Sequence, residues 1–274
     1  MVAWLWRLCE ASGAEEQLAR RSACSFGDGG GFRPVHPVRY DQSMCGRFTL
    51  RTLADELARL FTDLRCPDLG LFRPRYNIAP TQNVLAIRAA SHGPGPSDHG
   101  CEVVTLRWGL IPSWSKSLSG PPLFNARSET VAEKPSFRTA FRRRRCLIPA
   151  DGFYEWQVLT PKQKQPQYIT LRTGQPFAFA GLWESWQPPD GSRIESCTIL
   201  TTGANALMQQ FHDRMPVILS PDEFAPWLAA ELTDPAAMLP LLDQYPADEM
   251  SAVPVSTLVN SVKNDSPELI VPSE

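Results

Sequence analysis

The chain has 274 residues, 43% of them hydrophobic and 20% charged, enough apolar material for a sizeable core and too much for a disordered polymer. No run approaches the ~20 apolar residues that a membrane span needs, and residues 2–8 are too short and too weakly preceded by charge for a signal peptide. A net charge of -2 conceals an asymmetry: residues 44–145 hold sixteen Lys and Arg against eight Asp and Glu, whereas 233–274 hold one Lys against seven acids.

The basic half suits an anionic partner, nucleic acid first among the candidates, although a solvated basic surface accounts for charge alone equally well. The seven cysteines are scattered, odd in number and never spaced as C-x-x-C. Reduced thiols in a cytoplasmic protein are expected, without a zinc site or a disulfide framework.

Residues 1–43 lack sustained periodicity, carry the run Gly27-Asp28-Gly29-Gly30-Gly31 and are punctuated by Pro34 and Pro37. They read as a disordered extension or as a stretch ahead of the true start. A single domain is expected from 44 to 274. Its first motif is Met44-Cys45-Gly46-Arg47-Phe48-Thr49-Leu50, and Met44 is a plausible initiator.

Clipped after Met44, the chain begins with a cysteine whose amine and thiol sit on neighbouring carbons. The amine condenses with an aldehyde to an imine, and the thiol then closes on the imine carbon to a thiazolidine. Both groups titrate near neutrality, at about 7.7 to 8 for the amine and about 8.5 for the thiol. An internal cysteine has no such route.

A short strand through 48–50 is followed by a helix starting at Thr52, with Asp55 and Glu56 as the acidic partners of a capping box. Leu53, Leu57, Leu60 and Phe61 recur at helical spacing and are expected to face the core. Strands are then predicted over 84–87, 103–108, 168–171, 177–183 and 194–201. Helices are predicted over 136–143, 204–210, 222–230 and 235–242, and a loop over 92–100. Strands outnumber helices without regular interleaving, so the fold class is α+β, with a mostly antiparallel, barrel-like sheet and flanking helices.

Beyond the Met-Cys-Gly-Arg start, five stretches concentrate polar and aromatic residues. They are Arg75-Tyr76-Asn77-Ile78-Ala79-Pro80-Thr81, Trp108-Gly109-Leu110-Ile111-Pro112-Ser113-Trp114, Asn125-Ala126-Arg127-Ser128-Glu129, Pro149-Ala150-Asp151-Gly152-Phe153-Tyr154-Glu155-Trp156 and Phe211-His212-Asp213-Arg214-Met215-Pro216. In this order they resemble the SRAP family, the SOS-response-associated peptidases, whose members crosslink themselves to abasic sites in DNA. The resemblance extends to about Ile270, through Val262-Lys263-Asn264-Asp265 and Glu268-Leu269-Ile270. It departs at the front, where family members begin with Met-Cys-Gly-Arg and this chain carries 43 residues more.

The resemblance implies a role for each residue. Cys45 is the nucleophile through nitrogen and sulfur, and Asn125 orients it with an amide that donates and accepts without added charge. Glu155 is the acid and base; set between Tyr154 and Trp156, its carboxyl is expected to be desolvated and its pKa raised. His212 helps open the sugar ring. Arg47 and Arg127 are expected to clamp phosphates flanking the lesion, with Asn77, Trp108 and Arg142 as further DNA contacts, Trp108 by stacking on unpaired bases.

For Trp114, Trp156 and Trp183 core packing fits at least as well, and Arg142 to Arg145 is either a phosphate-tracking patch or a solvated helix end. The expected partner is single-stranded DNA with an abasic site, or a single/double-strand junction. The protein is expected to act as a monomer without metal or cofactor. Two other readings stay open: a hydrolase using Cys45, His212 and Asn125 on amide bonds, and a non-catalytic nucleic-acid-binding module.

Overall fold

A computed structural model describes residues 46–64, 72–90, 100–118, 120–188, 190–229 and 231–273. Cys45, the extension ahead of it and most of the predicted loop at 92–100 lie outside these. Thirteen strands are described: β1 (Phe48–Leu50), β2 (Arg75–Ile78), β3 (Asn83–Ala89), β4 (Cys101–Trp108), β5 (Asn125–Arg127), β6 (Arg145–Ala150), β7 (Gly152–Thr160), β8 (Gln163–Leu171), β9 (Phe177–Trp186), β10 (Ile194–Gly203), β11 (Arg214–Pro216), β12 (Ile218–Leu219) and β13 (Met250–Pro254).

They form two sheets. The first runs β13-β8-β7-β1-β2, antiparallel throughout. The second runs β11-β10-β4-β3-β6-β9-β12, and β10 also pairs with β9 and β5. Only β10 with β4 and β10 with β5 are parallel. Because β10 touches β4 on one side and β9 on the other, the second sheet turns back on itself into a barrel-like ring. The α+β class and the mostly antiparallel, barrel-like sheet are as expected.

The two sheets share one core. The Phe48 ring from the first meets Trp108 at 5.2 Å and Phe179 at 5.7 Å in the second, edge to face, and Phe153 meets Phe179 at 6.1 Å. β6 is buried along its whole length, which suits its almost unbroken apolar run after Arg145. A smaller cluster of Tyr154, Tyr168, Val255, Val259 and Leu269 covers the other face of the first sheet. Short 3-10 turns at Thr257–Asn260 and Pro267–Ile270 lie over it.

The chain passes from the second sheet to the first at Ala150-Asp151-Gly152. The buried Asp151 carboxylate accepts the backbone N–H groups of Arg51 and Thr52 and the Thr52 hydroxyl. Gly152 has no room for a side chain: a Cβ there would lie 2.6 Å from the Tyr168 ring and 2.7 Å from the Ile169 carbonyl oxygen.

Helices are fewer and shorter than predicted. α1 (Ala54–Leu60) is preceded by Leu53, which makes no side-chain cap, because Thr52 is committed to Asp151. α2 (Arg138–Arg143), α3 (Pro221–Leu228) and α4 (Pro235–Met238) fall in the predicted stretches. α3 starts where the Glu223 carboxylate accepts the Ser220 N–H at 2.7 Å, a capping box. The predicted helix at 204–210 is only a 3-10 turn, Met208–Gln210. Asn205 takes the Met208 N–H on its own side chain at 2.9 Å, closing a turn in place of a first helical coil. No described helix is long and apolar enough to cross a membrane.

Two sequence expectations need correction. Cys146 and Cys197 are free and buried, but Cys101 is disulfide-bonded. The run Arg142 to Arg145 is not one patch. Arg142 and Arg143 are exposed, Arg144 pairs with Glu184 at 2.7 Å, and Arg145 is buried. Arg145 donates to the carbonyls of Trp227 (2.6 Å), Phe141 (2.9 Å), Arg142 (2.8 Å) and Ala229, and burial pulls its pKa down to about 10.

Candidate active site

On β7 side chains alternate, so Phe153 and Glu155 share one face while Tyr154 and Trp156 share the other. Phe153 belongs to the main core and Tyr154 to the outer cluster, which turns Glu155 inward; it is 2% exposed. Opposite β7 runs β1, with Phe48 facing Phe153 and the Tyr154 N–H donating to the Arg47 carbonyl at 3.0 Å. One more antiparallel step sets Gly46, the first described residue, beside Glu155. The first described residues therefore run alongside the part of β7 that carries this carboxyl.

Strand β10 gathers the remaining candidates. On one side β5 pairs through Ile199 with Asn125 and through Thr201 with Arg127. On the other, β11 pairs through Thr201 with Pro216 and through Gly203 with Arg214. Asn125 and the turn carrying His212 thus arrive at the two sides of one strand end. His212 Nδ1 accepts the Arg214 N–H at 2.9 Å and lies 2.9 Å from the Asp213 carboxylate. Nδ1 thus faces a donor, the Arg214 amide, and an acceptor, the Asp213 carboxylate, which favour opposite placements of the ring proton.

A clamp that the sequence reading missed ties the two sides together. Arg214 makes a two-pronged pair with the Glu129 carboxylate, one prong at 2.9 Å, and donates to the Thr201 carbonyl at 2.6 Å across β10. The Arg214 hydrogen bond holds the Glu129 carboxyl below its usual range. The spacing of the two motifs carries no signal for this pairing; it follows from both flanking the same strand. Arg127, exposed on β5, adds positive charge beside Glu129. Arg142 is exposed on α2, which packs on β6 and β9.

Three residues expected to touch DNA are placed otherwise. Trp108 is fully buried and its indole N–H donates to the Phe124 carbonyl at 2.8 Å, so no face is open for stacking. Asn77 is fully buried and donates to the carbonyls of Val259, Ser261 and Asn264. Arg47 donates to Asn77, Val259 and Asn260, and burial lowers its pKa. Its half-buried guanidinium is engaged by protein carbonyls. Trp114, for which core packing had fitted at least as well as stacking, is instead 64% exposed, with Leu118 exposed in the same segment.

Among the described residues, no group of three His, Cys, Asp or Glu is placed to hold a metal ion. A family model described as SOS response associated peptidase (SRAP) matches residues 44–262. The abasic site processing protein YoqW of Bacillus subtilis is 48% identical over 229 residues, spanning 83% of this chain and 99% of that protein. The abasic site processing protein HMCES of Xenopus tropicalis is 32% identical, spanning 82% of this chain and 77% of its own length. A crystal structure of a Bacteroides thetaiotaomicron protein superposes with a TM-score of 0.70 at 25% identity, covering 84% of this chain and all of that one.

Proposed function

The chain belongs to the SOS response associated peptidase family, and from that premise we propose that it processes abasic sites in DNA by capturing them on Cys45. The observation that carries this reading is the register of β1 against β7, whose continuation brings the first described residues toward the buried carboxyl of Glu155. A terminal aminothiol beside a buried proton carrier is the pair of groups the chemistry calls for.

The ring-opened deoxyribose of an abasic site presents an aldehyde. The Cys45 amine adds to its carbon, and water leaves as the imine forms. The thiol sulfur then bonds to the imine carbon while its proton passes to nitrogen, giving a thiazolidine. Glu155 moves the protons of addition and water loss, and the same group serves ring opening in reverse, so the link can be undone. Asn125 orients the terminal amine, and His212 exchanges a ring proton with the sugar oxygen. Residues 1–44 must be absent or removed for this chemistry, by a start at Met44 with loss of that methionine or by cleavage ahead of Cys45.

The test is the intact mass of the native protein before and after incubation with an abasic single-stranded oligonucleotide. The expected result is a first residue of Cys45 and a covalent adduct lacking one water per site. Cys45→Ser should form no stable adduct, since a hydroxyl does not close a thiazolidine. A hydrolase would retain some acyl transfer in that variant. A simple binding module would bind intact and abasic oligonucleotides equally, with no adduct on a denaturing gel.

A further inference from the structure

The chain just after Cys45 is held by the far end of the sequence. Arg47 Nη1 donates to the Val259 carbonyl at 2.7 Å and to Asn77 Oδ1 at 2.9 Å, and Nη2 to the Asn260 carbonyl at 3.3 Å. The Asn77 amide, from β2, donates to the carbonyls of Val259 (3.2 Å), Ser261 (3.0 Å) and Asn264 (2.8 Å). Asp265 Oδ1 accepts the N–H groups of Tyr76 (2.5 Å) and Asn77 (3.1 Å), while Oδ2 pairs with Arg75. On β7, Asn260 Oδ1 accepts the Trp156 indole N–H at 2.7 Å, and the Arg47 guanidinium lies 5.9 Å from the Trp156 ring.

The segment thus grips the residue two positions after Cys45 and the residue next to Glu155. This arrangement is odd for a purely structural tail. A chain terminus normally frays unless something ties it down, and a nucleophile loses rate steeply when its position wanders by an ångström. Here β1 begins only three residues after Cys45, and its hold on β7 is limited to the pairs of Phe48 and Thr49 and one bond from the Tyr154 N–H to the Arg47 carbonyl. So short a strand has little grip of its own on what precedes it.

We infer that residues 256–265 are a positioning strap, which fixes Gly46 and Arg47 against β7 so that Cys45 meets the aldehyde beside Glu155; this rests on the capture chemistry proposed above. Arg47, Asn77 and Asp265 act through the strap as positioning residues. Their donors and acceptors are spent on backbone groups, on each other and on Arg75, and leave the phosphates to other side chains.

The experiment compares Asp265→Ala with Asp265→Asn in protein whose first residue is verified by mass. Asparagine keeps an oxygen for the two amide protons and surrenders only the ion pair with Arg75. Three quantities are read: the single-turnover rate of adduct formation on an abasic oligonucleotide, the affinity for the same oligonucleotide carrying a reduced, aldehyde-free abasic analogue, and deuterium uptake over 46–50. Asp265→Ala should slow adduct formation by about tenfold or more, leave affinity within about twofold and raise uptake over 46–50. Asp265→Asn should recover most of the rate.

A wild-type rate in Asp265→Ala overturns the strap. So does a rate loss matched by affinity loss, or an asparagine variant no better than alanine. Unchanged uptake overturns it whatever the chemistry does. Absence of any adduct in the wild type would instead overturn the abasic-site reading, with uptake still deciding the strap.

Discussion

Trp108 and Trp114 stand six residues apart in one motif and end in opposite environments. Trp108 packs edge to face against Phe48 and Phe124, with its indole proton satisfied by a carbonyl. Trp114 stands 64% exposed after the chain has turned at Gly109, whose φ of 127° and 2.9 Å approach to Pro122 admit no side chain. Removing each ring should therefore have a different consequence. Trp108→Ala should cost about 3 to 5 kcal/mol of stability in urea unfolding, the usual toll of emptying a tryptophan site. Trp114→Ala should leave stability within about 0.5 kcal/mol, while weakening binding of single-stranded DNA by about 1 to 3 kcal/mol if the ring stacks on a base. Equal affinities of Trp114→Ala and wild type would remove Trp114 from the DNA surface.

Between β6 and β7 a two-residue hinge sets the geometry of the site. Asp151 binds the end of β1, and Gly152 lets Tyr168 and the Ile169 carbonyl close over the crossing. Asp151→Ala strands two amide protons and a hydroxyl, and should lower stability by about 3 kcal/mol. Gly152→Ala should cost at least as much, because a backbone oxygen and a packed ring have little room to retreat. Denaturant midpoints of both variants check this, and a cost under about 1 kcal/mol in either would mean that the crossing relaxes freely.

The Asp-Gly pair was legible inside its motif, and so were the strands with strong apolar periodicity, β3, β4, β9 and β10. β2, β5 and β11 were not read as strands, since short polar runs such as Arg75–Ile78 and Asn125–Arg127 become strands only through partners far along the chain. The same non-locality hid the capture of Arg47 by residues 259 and 260, and of Arg214 by Glu129. A guanidinium reads as a phosphate ligand until the fold shows which carbonyls surround it.

Across the whole molecule, the acidic groups buried in neutral form set a limit on the alkaline side. Cys146 and Cys197 are fully buried, and burial drives both thiols well above their ordinary value of 9, with each other's proximity adding to the effect on Cys197. Burial likewise raises the Tyr154 and Tyr168 phenols above 10, and Tyr245 to about 12. In every case the folded pKa exceeds the unfolded one. Their contribution is therefore complete below about pH 9 and is lost as pH rises, because the unfolded chain releases its protons first. Each fully buried group steepens the loss by about 1.4 kcal/mol per pH unit once its unfolded pKa is passed. Thiols act first and phenols about one unit later. Urea midpoints should hold near neutrality and fall increasingly steeply above about pH 9, with tyrosinate absorbance from Tyr154 and Tyr168 appearing together with unfolding. Phenolate formation near pH 10 in a chain that stays folded would show that water reaches these hydroxyls, and that the outer cluster over the first sheet opens without the rest.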